Sequence, residues 1–151
     1  MTLRELNQFF NERFDFENGK HTAFRISNDN TDKQWRVQSV GCNVFGWSKS
    51  YNLTDAQIEK MKSTEGIEFK MVRSGLILKV YLDGVDVFPN DELNLTNKSS
   101  GITEGMSAKA KLYFYGNSGY DTEIPFEVSK DLTSTIIISD NIENGSVTAD
   151  K

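Results

Sequence analysis

The 151-residue chain has few of the residues that staple, kink or titrate a fold: one cysteine, two prolines and one histidine. The single Cys42 excludes an internal disulfide and reads as a partly buried small residue. A lone His21 leaves little for a Ser-His or Cys-His nucleophile, and Cys42 has no partner beside it in sequence, so catalysis is not expected. No apolar run approaches the ~18 residues that span a bilayer, which argues against membrane insertion, and the N-terminus lacks a basic-then-apolar leader pattern. If the parent protein is secreted, its signal lies upstream of this stretch. Basic charge is also short: 17 Lys and Arg stand against 22 Asp and Glu, a net charge of −5. That balance disfavours nucleic acid and anionic bilayers and suits neutral or weakly charged partners. The length fits one sandwich-sized domain.

What the chain does have is strand pattern. The central stretch Ile67 to Phe88, IEFKMVRSGLILKVYLDGVDVF, reads as strand, turn at Ser74-Gly75, strand, turn at Asp83-Gly84, strand. Leu76, Leu78, Val80 and Leu82 alternate with Ile77, Lys79 and Tyr81, so one face is core and the other mixed. Further strands are expected at Phe14 to Glu17, His21 to Ser27, Gln34 to Val40, Met106 to Tyr115 and Glu123 to Val128, with Asn18-Gly19 and Gly116-Asn117-Ser118-Gly119 as turns. Gly41 to Tyr51 carries Val44-Phe45-Gly46-Trp47 and is expected to be a strand with a bend or bulge. Two helices are in view: a short one in residues 2–14, where Leu3, Leu6 and Phe10 fall at helical spacing, and a clearer one after Thr54, with Gln57 completing a capping box. The count is about nine strands, an all-β antiparallel sandwich or barrel with one or two short helices.

Residues 1–132 are expected to form the module. A boundary is placed near Lys130 to Ser134, and residues 133–151 read as a strand and linker opening into a truncated next repeat.

His21 to Ser27, Gln34 to Gln38, the Trp47 element, the helix from Thr54, and Phe69-x-x-x-Arg73-x-Gly75 followed by Val80-Tyr81-Leu82-Asp83-Gly84-Val85 together resemble the concanavalin A-like jelly roll. The likeness is closest to the laminin G-like and lectin-like modules of secreted bacterial multi-domain proteins, and Arg73, Gly75, Asp83 and Gly84 carry it. It implies an extracellular or cell-surface module, monomeric and non-catalytic, whose partners are a glycan or polysaccharide and neighbouring domains of the same chain. The alternatives are a structural spacer without a small ligand and a glycoside hydrolase fragment. The latter would use Glu123 and Glu127, but Pro125 stands where the catalytic strand of jelly-roll glucanases has an Asp.

Sugars stack their apolar faces on aromatic rings while amides and carboxylates take the hydroxyls. Trp47, Tyr51, Tyr115 and Tyr120 are therefore the candidate platforms, with Asn43, Asn117 and Asp121 as polar partners. Trp35, inside an alternating strand, reads as core, whereas Trp47, between Gly46 and Ser48-Lys49-Ser50, suits a platform or a core role equally. Tyr115 and Tyr120 flank the Gly-Asn-Ser-Gly loop, where loop packing and binding compete. Asn28, Asn30 and Asp32 place oxygens at alternate loop positions, a spacing that can wrap calcium. Lys33 stands where the best-known calcium loop has glycine, so a solvated turn is the first reading. Related folds often carry a structural calcium, and the resemblance keeps it as the alternative. Asn-x-Ser/Thr triplets at Asn52, Asn94, Asn97 and Asn144 carry weight only in a eukaryotic source.

Overall fold

Alternation between apolar and polar side chains sets almost every element of this chain. The computed structural model describes residues 9–28, 31–41, 44–90, 93–115, 120–124, 131–139 and 147–150. Their strands are β1 (Phe9–Phe16), β2 (His21–Ser27), β3 (Arg36–Ser39), β4 (Ser50–Asn52), β5 (Ile67–Ser74), β6 (Ile77–Leu82), β7 (Val85–Asp86), β8 (Leu93–Asn94), β9 (Ala108–Tyr115), β10 (Tyr120–Ile124), β11 (Asp131–Ile138) and β12 (Val147–Asp150), with one α-helix, α1 (Asp55–Met61), and a short 3-10 turn at Asn97–Ser99. All pairings are antiparallel, and they build two sheets. The first runs β10-β9-β1-β2-β3-β4, and the second runs β12-β11-β5-β6-β7 with β8 on β6. The chain is an all-β antiparallel sandwich.

The core lies between the inner faces. Phe14, Phe24, Ile26, Val37 and Leu112 of the first sheet meet Phe69, Met71, Leu78, Val80, Leu82 and Ile136 of the second in one apolar cluster. Phe24 packs tilted against Phe45 at 6.0 Å and Phe88 at 5.6 Å between ring centroids. Such pairs add to the area they bury. In β6 the expected alternation holds: Leu78, Val80 and Leu82 are buried, and Ile77, Lys79 and Tyr81 are half-buried on the other face. The turn at Asp83-Gly84 has φ of 52° and 79°, the paired positive values of a two-residue hairpin loop. Lys60 of the helix reaches that turn, its ammonium 2.7 Å from Asp83 Oδ1.

Helix α1 forms where the sequence places it. Thr54 Oγ1 accepts the Gln57 N–H at 3.1 Å and Gln57 Oε1 accepts the Thr54 N–H at 2.8 Å, a complete capping box. Only Met61 of the helix is buried, so it is a surface link from β4 to β5.

Three stretches differ from their sequence reading. The helical spacing near the N-terminus gives way to strand: Phe9–Phe16 is β1, held between β2 and β9 over its whole length. Phe10 and Phe14 suit a helical and an alternating period alike, and two flanking ladders decide for the latter. Residues 44–47 are turn rather than bent strand, because Gly46 takes φ +59° and Ser48 Oγ donates to Phe45 O at 2.6 Å, and strand resumes only at Ser50. The boundary expected near Lys130 to Ser134 falls inside β11. This strand pairs with β5 from Asp131↔Ser74 to Ile138↔Ile67 and sends Leu132, Ile136 and Ile138 into the common core.

Candidate binding site

The loop end of the sandwich, where β2 begins and β5 ends, gathers the turns at Asn18-Gly19 and Ser74-Gly75 and residues 44–49 and 94–107. Two devices hold these loops. One is Arg73, whose side chain is fully buried between the sheets. Its guanidinium donates to the carbonyls of Gly75 (2.8 Å), Met106 (2.6 Å), Thr103 (3.0 Å) and Glu104 (3.1 Å), and lies 5.1 Å from the Phe16 ring centroid. A planar fork of five donors suits this set of carbonyls in a way an ammonium cannot. The residue that carried the sequence resemblance thus fastens residues 103–106 to the second sheet.

The other device is a latch between residues 44–49 and 94–98. Asn97 Nδ2 donates to Val44 O at 2.6 Å. The backbone N–H of Lys49 donates to Ser39 Oγ at 3.0 Å, and Ser39 N–H returns to Lys49 O at 2.9 Å. Asn94 Oδ1 takes both the Thr96 N–H and the Thr96 hydroxyl, closing that loop on itself. Lys98 and Ser99 hold φ of 55° and 53°, the left-handed region that L residues rarely enter. Between the two loops lies a shallow depression of about 280 Å³ lined by Phe45, Ser48, Lys49, Asn94, Thr96 and Asn97.

Trp47 stands beside it. Its side chain is 54% exposed, against 4% for Trp35. The ring does not swing free: the Arg25 guanidinium sits 5.1 Å from its centroid, and it covers Gly41 so closely that a Cβ there would lie 2.1 Å from the indole nitrogen. Only glycine at 41 admits the ring in this position, and cation–π contact with Arg25 supports it from below. A large aromatic held open to solvent in one orientation is a preorganised contact surface.

The other candidates are scattered. Tyr51 pairs with Val37 in register, shares its inward face, and donates its hydroxyl to Gln57 Oε1 at 3.0 Å, so it braces the helix cap. Tyr120 and Asp121 lie on β10, at the opposite edge of the first sheet from β4. Five strand spacings put roughly 24 Å between those edges. Tyr115 pairs with Phe9 on β9, at the far end of the sheet from residues 40–49. Asn43 and Asn117 lie outside the described residues, as do Asn30 and Glu127. Of the calcium candidates, Asp32 is committed: its Oδ2 meets Arg36 Nη2 at 3.0 Å and its Oδ1 accepts the Gln34 N–H at 3.1 Å. These contacts lower its carboxyl below the ordinary range, the Gln34 N–H most. Asn28 Oδ1, by contrast, is buried without a hydrogen-bond partner. Among the described residues no group of three or more His, Cys, Asp or Glu is placed to hold a metal.

His21 is half-buried and pairs with Asp15 in register. Its pKa is lowered, first by burial and then by Arg13, with Asp15 opposing. Sequence reading missed Asn94, Thr96, Asn97 and Lys98 as a site because they sit in a polar stretch that composition marks only as loop. Their approach to residues 44–49 depends on β8 joining β6, a long-range pairing. Among the described residues no helix is long and apolar enough to cross a membrane. No family model matches the chain, and no curated protein or solved structure matches it either.

Proposed function

We propose that this chain is a non-catalytic carbohydrate-binding or adhesion module whose site is the loop end formed by residues 44–49 and 94–98. The observation that carries the reading is Trp47, more than half exposed yet fixed between Gly41 and Arg25 beside a depression of amide, hydroxyl and ammonium groups. A pyranose can lay its apolar face on that ring while Ser48, Asn94 and Asn97 reach its hydroxyls. The jelly-roll resemblance of the Arg73-x-Gly75 and Asp83-Gly84 hairpins supports an extracellular or cell-surface setting and neighbouring domains in the same chain.

The test is a glycan array probed with the folded protein, with and without calcium, beside tryptophan fluorescence. Binding that shifts the emission of exposed indole, and that disappears in a Trp47→Ala variant that still folds and unfolds cooperatively, is the expected result. A blank array from folded protein, with emission unmoved by polysaccharides, would replace this reading with a spacer that positions its neighbours.

A further inference from the structure

The net charge of −5 conceals an uneven surface. Of the shallow depressions among the described residues, three open near the loop end: Glu104 and Asp131 line one, and Asp15 and Glu17 line another together with Lys109. The third, beside Trp47, has no acidic residue among its six and includes Lys49. Lys98 adds a second ammonium at its rim, with Nζ 3.1 Å from where a Cβ on Gly46 would stand. Among the described residues no carboxylate forms an ion pair with Lys98.

The backbone explains how Lys98 comes to be there. Lys98 at φ 55° and Ser99 at φ 53° reverse the chain after Asn97, while Gly46 at φ +59° leaves the facing loop without a side chain at the point of approach. Any side chain at 46 would crowd the ammonium. Left-handed conformations in two successive non-glycine residues cost on the order of 1 kcal/mol each and persist where surrounding structure imposes them. Here the imposed conformation aims a cation at a polar shelf next to an aromatic ring.

Building on the carbohydrate reading, we infer that the ligand is an acidic saccharide, whose carboxylate or sulfate sits on Lys98 at the rim of the depression that Lys49 lines, while an adjoining sugar ring lies against Trp47. An anion on an ammonium makes a charge-assisted hydrogen bond, stronger than the bond a neutral hydroxyl makes. The polar lining of Asn94, Thr96 and Asn97 then serves the remaining hydroxyls. The depression lined by Glu104 and Asp131 disfavours the same ligand.

The experiment compares three trisaccharides on one linker, ending in glucose, in glucuronate or in 6-sulfated glucose. Titration uses the intact chain at low and at physiological salt. The anionic forms are expected to bind about tenfold tighter than the neutral one, with the advantage shrinking as salt rises. Comparison of the glucuronate and sulfate arms tells which anion the shelf takes. Lys98→Asn removes the charge while keeping a residue that tolerates positive φ, and is expected to bring the anionic ligands down to the affinity of the neutral one. Lys98→Arg restores the preference. Lys49→Gln, at a position with ordinary backbone, repeats the test if Lys98→Asn does not fold.

Equal binding of all three sugars would overturn the inference and leave the carbohydrate reading standing. A preference that survives both lysine substitutions would overturn the placement. No binding by folded protein in any arm would remove both.

Discussion

Arg73 and Lys98 are both cations at the loop end of the sandwich, close to a glycine turn, and they do opposite things. Arg73 is fully buried and gives its guanidinium to four backbone carbonyls in residues 75 and 103–106. Lys98 is exposed and reaches across Gly46 with no ion pair among the described residues. The same contrast separates Trp35, 4% exposed in the core, from Trp47, 54% exposed beside the shelf. What a side chain does here follows from whether the fold already satisfies it. A group whose bonding capacity is used inside the molecule is a fastener, and one held in place but left open is available to a ligand.

The first test of that contrast is at Arg73. Arg73→Met removes the four hydrogen bonds that its buried guanidinium gives to the carbonyls of Gly75, Thr103, Glu104 and Met106, of which Thr103 O keeps the Met106 N–H. The expected loss is about 2–3 kcal/mol, the range for losing hydrogen bonds made by a charged group. Lys98→Asn should change stability by no more than about 0.5 kcal/mol, as for a surface position away from packing. Chemical denaturation of the two variants measures both. Comparable losses would show that Lys98 is a fastener as well and would undercut the shelf as a site.

The two tryptophans give a difference of similar size. Trp35→Leu opens a cavity against Leu53 and Val37 and should cost about 3 kcal/mol. Trp47→Ala loses only its contact with Arg25 and its cover over Gly41, worth about 0.5–1 kcal/mol. A Trp47 variant as damaged as the Trp35 one, read by thermal unfolding, would mean that the exposed ring is structural.

Much of this fold is legible in the chain because its signals are local. The β5–β6–β7 meander, the turns at Asn18-Gly19 and Asp83-Gly84, and the capping box at Thr54 each need only a few adjacent residues. Trp35 is correctly placed in the core by the alternation around it. Phe9–Phe16 is misread as partly helical because its phenylalanines fit both periods, and only β2 and β9, one of them about a hundred residues away in sequence, decide the matter. The site is legible at Trp47 and no further. Tyr51 turns inward on a pairing with Val37, Tyr120 and Asp121 stand on the far edge, and Lys98 enters through a left-handed backbone that lysine does not advertise.

Glu12 sharpens the comparison from a third side, because it is as buried as Arg73 and as unsatisfied as Lys98. It lies on the inner face of β1, in register with Phe24 and Leu112, and among the described residues only the Ser134 hydroxyl stands near its carboxyl, outside good hydrogen-bond geometry. Ser134 of β11 faces it across the interface and Glu68 of β5 lies within electrostatic reach, while Thr22 of β2 shares its face. Burial raises its carboxyl pKa well above the ordinary value, Glu68 adds to the rise, and the Ser134 hydroxyl opposes it. The folded state therefore keeps its proton at pH values where the unfolded chain has lost it. Because the unfolded state then binds fewer protons, stability falls as pH climbs above the ordinary glutamate range and continues to fall until the folded carboxyl itself ionises. Below that range both states are protonated and the effect vanishes. Glu12→Gln should remove the slope, stabilising the protein by roughly 1–2 kcal/mol near neutral pH and hardly at all near pH 4. Urea unfolding of both proteins across that pH span reads the difference directly. Parallel curves would mean that Glu12 is satisfied in the folded protein and belongs with Arg73 among the fasteners.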